Sequence, residues 1–276
     1  MSSRNSNSAH TVSCGNEPLG HRLERLYSVC NDPRYIHPDP LETILPFRRI
    51  EDREIAALLA SSLAYGRVNQ ILKSIRRVLE IMGDSPRRYL ETASPEQLER
   101  DFAGFKHRFH TGEDLARLFR GVQRALERHG SLEKCFLSGF SSGDRTVLTA
   151  SERFTEELCC FFPAGESTLL PSPKHGSACK RLHLMLRWLV RKDKVDPGGW
   201  DSIPARCLIV PLDTHMHRLA RELGLTRRNA ADRKTAEEIT YAFSRCCPED
   251  PVRYDFSLTR FGIHPDFSKN PFEISR

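Results

Sequence analysis

The sequence predicts an all-α fold. Apolar residues recur at intervals of three and four in one segment after another, and no segment sustains an alternation of period two with hairpin punctuation. Helix-starting and helix-stopping residues bracket the periodic segments, and no internal repeat points to a solenoid.

In chain order, residues 19–29 read as a first amphipathic helix, ended by Asn31-Asp32-Pro33. Pro38-Asp39-Pro40 is a rigid turn. Residues 55–63 are apolar nearly all round, the mark of a helix buried in the middle of a fold. The acids Glu51, Asp52 and Glu54 suit its positive N-terminal end, and Gly66 suits its close. Val68, Ile71, Leu72, Ile75, Val78, Leu79 and Met82 keep helical spacing, and Pro86 and Pro95 stand where new helices begin. Residues 115–126 and 147–161 are further helices. A Pro- and Gly-punctuated turn over residues 169–180 feeds a helix that runs to Arg191, with Leu182, Met185, Leu186, Leu189 and Val190 on one arc. The short apolar run 207–212 delivers Asp213 to a helix striped by Met216, Leu219, Ala220 and Leu223 and closed by Gly224. The last helix spans residues 251–261, with Asp250 as cap and Gly262 at its end; residues 264–276 show no periodicity.

A chain of 276 residues, 39% hydrophobic and 28% charged, suits one large domain or two small lobes. No run approaches the roughly 18 apolar residues of a membrane span. The Ser/Asn-rich start has neither a signal-peptide core nor an Arg-rich amphipathic pattern, so a disordered tail over residues 1–18 and a cytoplasmic location are expected. Of the nine cysteines, Cys159-Cys160 and Cys246-Cys247 are vicinal and none has Cys-x-x-Cys spacing. Zinc-ribbon and iron–sulfur classes are thereby unsupported, and reduced, mostly buried thiols are expected. No cofactor and no metal is expected.

The net charge of +6 is unevenly spread. Between Lys174 and Lys194 seven Lys/Arg face the single acid Asp193, which accounts for the whole surplus. A second basic stretch runs from Arg67 to Arg88. Such clusters suit a polyanion, although charged helix faces are often only solvated. On a helical wheel Lys180, Arg187 and Arg191 stack opposite the apolar arc. Lys180 stands in the first turn, beside the free N–H groups that make a helix start an anion site. Lys174, His175, Gly176, Ser177, Arg181, Arg187 and Arg191 are the expected DNA-binding set.

Asp213 is a favoured N-cap residue, and it is also a carboxylate brought through a buried run to the mouth of a helix. His215 and His217, two apart on a helix, point about 200° from each other and cannot share a metal ion there.

Two resemblances follow from these stretches. Asp52-Arg-Glu-Ile, Ala60-Ser-Ser-Leu-Ala-Tyr-Gly-Arg-Val, His107-Arg-Phe, Thr111-Gly-Glu-Asp-Leu, Gly176-Ser-Ala-Cys-Lys-Arg-Leu, Leu186-Arg-Trp, Pro211-Leu-Asp-Thr-His and Tyr254-Asp-Phe resemble a bacterial family of unknown function. More distantly, Leu59-Ala-Ser-Ser, Lys180, Leu212-Asp213-Thr214-His215 and residues 256–262 are similar, in order, to elements of helix-hairpin-helix DNA glycosylases of the endonuclease III and oxidised-guanine types. That resemblance covers roughly residues 20–265. Three features depart from it. The Leu-Pro-Gly-x-Gly hairpin is reduced to Gly176, 33 residues separate Lys180 from Asp213, and residues 193–206 look like an insertion.

The glycosylase resemblance implies a unit over residues 19–265 made of two helical lobes with a cleft, followed by a C-terminal tail at 266–276. One lobe is about 49–192; the other is about 19–48 plus 193–265. It implies Lys180 and Asp213 as the catalytic pair of a DNA base-excision repair glycosylase, with or without lyase activity, acting as a monomer on damaged duplex. Asp213 would stabilise positive charge on the deoxyribose, and a neutral Lys180 would attack C1′. Burial and the cations Lys174 and Arg181 would favour that neutral amine. Tyr65, Trp188 and His215 are candidates for the pocket of the flipped base. Two other readings stay open: a non-catalytic nucleic-acid-binding relative, and a helical interaction protein or small-substrate enzyme.

Overall fold

The structure is a computed structural model that describes residues 17–263, with side chains described as far as residue 260. The Ser/Asn-rich start, Cys14, the side chains around Gly262 and the aperiodic end lie outside the described residues.

Among the described residues the fold is all-α, apart from one short hairpin. Its helices are α1 (Leu19–Cys30), α2 (Ile50–Ser62), α3 (Val68–Met82), α4 (Pro86–Thr92) and α5 (Pro95–Phe102). Strands β1 (Lys106–His107) and β2 (His110–Thr111) then pair antiparallel. They are followed by α6 (Gly112–His129), α7 (Leu132–Leu137), α8 (Leu148–Leu158), α9 (Lys180–Val190), α10 (Thr214–Glu222), α11 (Arg233–Ser244) and α12 (Asp255–Ile263). The hairpin escapes a periodicity reading because two residues are too few to alternate. No described helix is long and apolar enough to cross a membrane.

α2 is the central helix, buried on every side from Ile55 to Ser62 and packed along α9. α1 lies against α12, so the two ends of the described chain meet. The acids expected at the α2 terminus have other work. Asp52 accepts from Ser85 Oγ at 2.7 Å and from the Arg87 N–H at 3.0 Å, at the start of α4. Glu54 accepts from the N–H groups of Leu132 and Glu133 at the start of α7, and from Trp200 Nε1. Burial raises the Glu54 carboxyl to about 6 against the pull of those three donors. α2 is therefore the post on which two later helices are capped.

Gly66 does not close α2, which ends at Leu63; it adopts φ +102° in the turn to α3, where the Arg108 side chain crosses it. α12 begins at Asp255, later than the sequence suggests, because Asp250 is bonded to Arg191 and cannot cap a helix at residue 251. The described thiols are free, and Cys30, Cys135, Cys159, Cys179 and Cys207 are buried.

The basic face of α9 turns inward. Arg187 and Arg191 are only 3% and 4% exposed, within a cage of four aspartates. Arg187 bonds Asp196 at 3.2 Å and also Asp255. Arg191 bonds Asp193 at 2.8 Å, Asp250 at 2.9 Å and also Asp196. Asp196 belongs to the segment that looks like an insertion. Gly198 and Gly199, both at positive φ, fold that segment back onto α9, and a Cβ at Gly199 would stand 2.2 Å from Ile50 Cδ1. Val195, Asp196, Trp200 and Ile203 of that segment are thus buried with the core.

Removing one partner from a buried ion pair strands the other charge and costs about 3–5 kcal/mol. Asp196→Ala takes a carboxylate from both guanidinium groups but leaves Asp255 on Arg187 and Asp193 and Asp250 on Arg191, so it should lower the unfolding free energy by about 1–3 kcal/mol in urea titration. A loss under about 1 kcal/mol would show that the cage does not hold the fold together.

Candidate functional site

The site grows from two helix starts. Cys179, at φ +43°, turns the chain sharply into α9 without a side-chain cap, so the first N–H groups of the helix are left to other partners. Lys180 is the first helical residue. The second start is α10, reached through the buried run Leu208–Leu212, whose Val210 N–H donates to Thr240 Oγ1 at 2.9 Å. Asp213 caps α10 by accepting from the Met216 N–H at 2.8 Å through Oδ1. Its other oxygen, Oδ2, lies 3.0 Å from Lys180 Nζ. One carboxylate thus does two jobs, and the Lys180 and Asp213 side chains remain 34% and 29% exposed.

Burial raises the Asp213 carboxyl, but the Lys180 charge and the Met216 N–H outweigh it, and the net value falls below the usual range. Asp213 is ionised at neutral pH.

The pair opens into a pocket of ≈ 270 Å³, walled by the Pro38–Pro40 turn, Tyr65, Gly66, α9 and α12. Asp255, Thr259 and Arg260 supply the α12 wall. Tyr65 donates from its hydroxyl to the His107 carbonyl at 2.9 Å and contacts His110 Nδ1. The Arg181 guanidinium lies 4.9 Å from the centre of the Tyr65 ring and donates to the Ser62 carbonyl at 2.9 Å and to the Thr168 carbonyl. Asp255 is 2% exposed; its Oδ2 is held by Arg187, while Oδ1 has no hydrogen-bond partner among the described residues. An orphaned buried acceptor costs about 1–3 kcal/mol, so it needs a reason. Sequence reasoning missed Asp255. The signal was there: an aspartate inside the apolar run Val252, Tyr254, Phe256, Leu258 must find a buried partner.

The other predicted residues are dispersed. Arg187 and Arg191 are buried and paired with aspartates instead of standing on an open polar face, and Arg187 also lines the pocket beside Lys180. A helical wheel places a residue on a face but cannot see which element covers it. Trp188 is wholly buried, so it has no ring face to offer a base. His215 contacts Arg218 at 3.2 Å and does not line the pocket. His217 is turned to the Arg228 carbonyl at 3.0 Å. Lys174 is paired with Glu156 at 2.9 Å and His175 with Glu166 at 2.6 Å. Both line a different and larger cavity of ≈ 780 Å³ that also includes Ser177. Lys174 therefore turns away from Lys180. Gly176 is left-handed at φ +78°, and its carbonyl accepts from the Arg233 N–H at 2.9 Å. Cys159, in the larger cavity, is raised by burial to about 12 and is no nucleophile.

The chain belongs to a family of proteins of unknown function (DUF2400), whose model matches residues 39–264. No curated protein and no solved structure matches the chain. The family span takes in both helix starts and all of the pocket wall except Pro38.

Because the folded value of Asp213 lies below that of the unfolded chain, its ionisation adds stability above about pH 4. That contribution is lost as pH falls through the folded value. The gap in unfolding free energy between wild type and Asp213→Asn should therefore be widest near neutrality and shrink in acid. A gap that does not vary with pH would mean the 3.0 Å contact is not an ion pair in solution.

Proposed function

We propose that the Lys180–Asp213 pocket is the active site of a DNA base-excision glycosylase, with the capacity for a Schiff-base lyase step. One observation carries the reading: a lysine at an uncapped helix start and an ionised aspartate 33 residues away meet at 3.0 Å, at the edge of a pocket. The two-lobed organisation with the cleft at this pocket goes with the reading.

The chemistry uses each group where it stands. As the glycosidic bond lengthens, positive charge builds on the deoxyribose ring, and the fixed Asp213 carboxylate stabilises it. A sugar entering between Nζ and the carboxylate parts the pair. The Lys180 amine, once it has passed its proton to water, then bonds to C1′ while the C–N bond breaks with its electron pair on the departing base, which takes up a proton from water. Opening of the sugar ring leaves the lysine joined to C1′ as a Schiff base. The N–H groups at the start of α9 suit a flanking phosphate. Arg181 and the exposed Arg108 at the hairpin tip lie against the Tyr65 ring on the wall of the pocket. They replace the caged Arg187 and Arg191 as backbone contacts.

Two outcomes test the reading. On duplexes bearing single lesions, borohydride should trap a covalent protein–DNA adduct that Lys180→Gln abolishes while binding stays within a few fold. Asp213→Asn should slow base release by at least ~10²-fold, with melting followed alongside because the same residue caps α10. A Lys180→Gln protein that still cleaves and traps like the parent ends this mechanism. Separately, Arg108→Gln should reduce the slope of log affinity against log salt by about one, whereas a slope left unchanged removes Arg108 from the interface.

A further inference from the structure

We infer that Asp255 reads the ligand of the Lys180 pocket, its free carboxylate oxygen accepting a hydrogen bond from an N–H of the nucleobase. The inference rests on the reading of that pocket as a base-excision site.

Asp255 opens α12 and lines the same pocket as Lys180 and Asp213. Its carboxylate is not free to swing. Oδ2 is tied to the Arg187 guanidinium, and Arg187 is itself anchored by Asp196. The other Asp255 oxygen, Oδ1, is buried and without a donor among the described residues, on a residue that lines the pocket. Buried carboxylates nearly always have their lone pairs filled, so an empty one on a pocket wall marks where a ligand donor completes the set. Burial raises the Asp255 carboxyl above the usual range, with the Arg187 charge pulling the other way.

One turn further along α12, Thr259 lines the same wall. Its hydroxyl proton is committed to the Phe256 carbonyl at 2.9 Å, which leaves oxygen lone pairs for the pocket. Two acceptors on one helix face call for a donor-bearing ligand edge. A backbone phosphodiester does not qualify, since it has no N–H or O–H to donate. Nor does the sugar of an intact strand, whose 3′ and 5′ oxygens are esterified. The remaining donors on a flipped nucleotide are the ring and amino N–H groups of its base. A site built to take such a hydrogen bond discriminates strongly against a partner that lacks it.

The test is Asp255→Asn in the full chain. The amide keeps the shape of the carboxylate, and its oxygen stays with the Arg187 cation, so the NH₂ replaces the acceptor on the pocket side. Fluorescence anisotropy would compare duplexes that differ at one position. Three carry hypoxanthine, 8-oxoguanine or uracil, each with a ring N–H, and one carries the baseless tetrahydrofuran analogue. The expected result is a loss of at least ~10-fold on the base-bearing duplex that the wild type holds most tightly, with less than about 2-fold change on the baseless one. Equal losses on both duplexes, or loss on neither, overturn the inference. Thr259→Val, which leaves Arg187 untouched, should shift the same base-bearing duplex in the same direction. It thereby separates recognition from any loosening of α12. If the wild type binds neither kind of duplex, the base-excision reading fails and this inference with it. If it binds and Asp255→Asn changes nothing, only the inference fails.

Discussion

The constraint on which the rest of the structure depends is the burial of two guanidinium groups on α9. Arg187 and Arg191 cannot sit in the core without counter-charges, and the chain brings Asp193 and Asp196 from one segment and Asp250 and Asp255 from another to meet them. That requirement folds residues 193–206 back across α9 and draws the start of α12 onto α9. It also sets where α12 starts, because the aspartate best placed to cap an earlier start is bonded to Arg191. Tyr27 on α1 joins the same cage through Asp193 at 2.9 Å, so the N-terminal helix is tied in by the same charges.

The pocket is a consequence of that cage. With α12 held against α9 by the Arg187–Asp255 contact, the wall carrying Asp255 and Thr259 faces the start of α9, where Lys180 stands. Asp213 reaches the same place by a different route, a buried run that ends at a helix start. Its geometry is doubly determined, by the Met216 N–H on one oxygen and by Lys180 on the other. Such a side chain loses little freedom on meeting a ligand, which is the physical content of preorganisation. Tyr65 is held in the same way by His107 and His110 from the β1–β2 hairpin, beneath the Arg181 guanidinium.

Much of the fold was legible in the sequence because helix formation is local. The apolar spacing of residues 55–63 and 182–190, the cap at Asp213 and the prolines at 86 and 95 are properties of neighbouring residues, and each corresponds to an observed helix or cap. Local patterning missed the twelve-residue α11, although Asp232 caps it through the Thr235 N–H, and it missed shorter pieces. α7 has six residues, and each hairpin strand has two. The site was legible only as two helix starts. Spacing along the chain says nothing about whether Lys180 and Asp213 face one another, or whether Lys174 turns toward Glu156 instead.

By itself, then, the sequence determined the all-α class, the central apolar helix, and the placing of a lysine and an aspartate at the mouths of two helices. Only the tertiary structure decided which charges are buried. The periodicity that makes α9 amphipathic assigns Arg187 and Arg191 to its polar side, but whether that side meets water or four aspartates depends on segments up to 68 residues away. A charge is expensive to bury alone and tolerable when paired, so its location follows from its partners. Asp193 and Asp196 lie close by in the chain, but Asp250 and Asp255 come from 59 and 68 residues away, and no local pattern encodes those contacts.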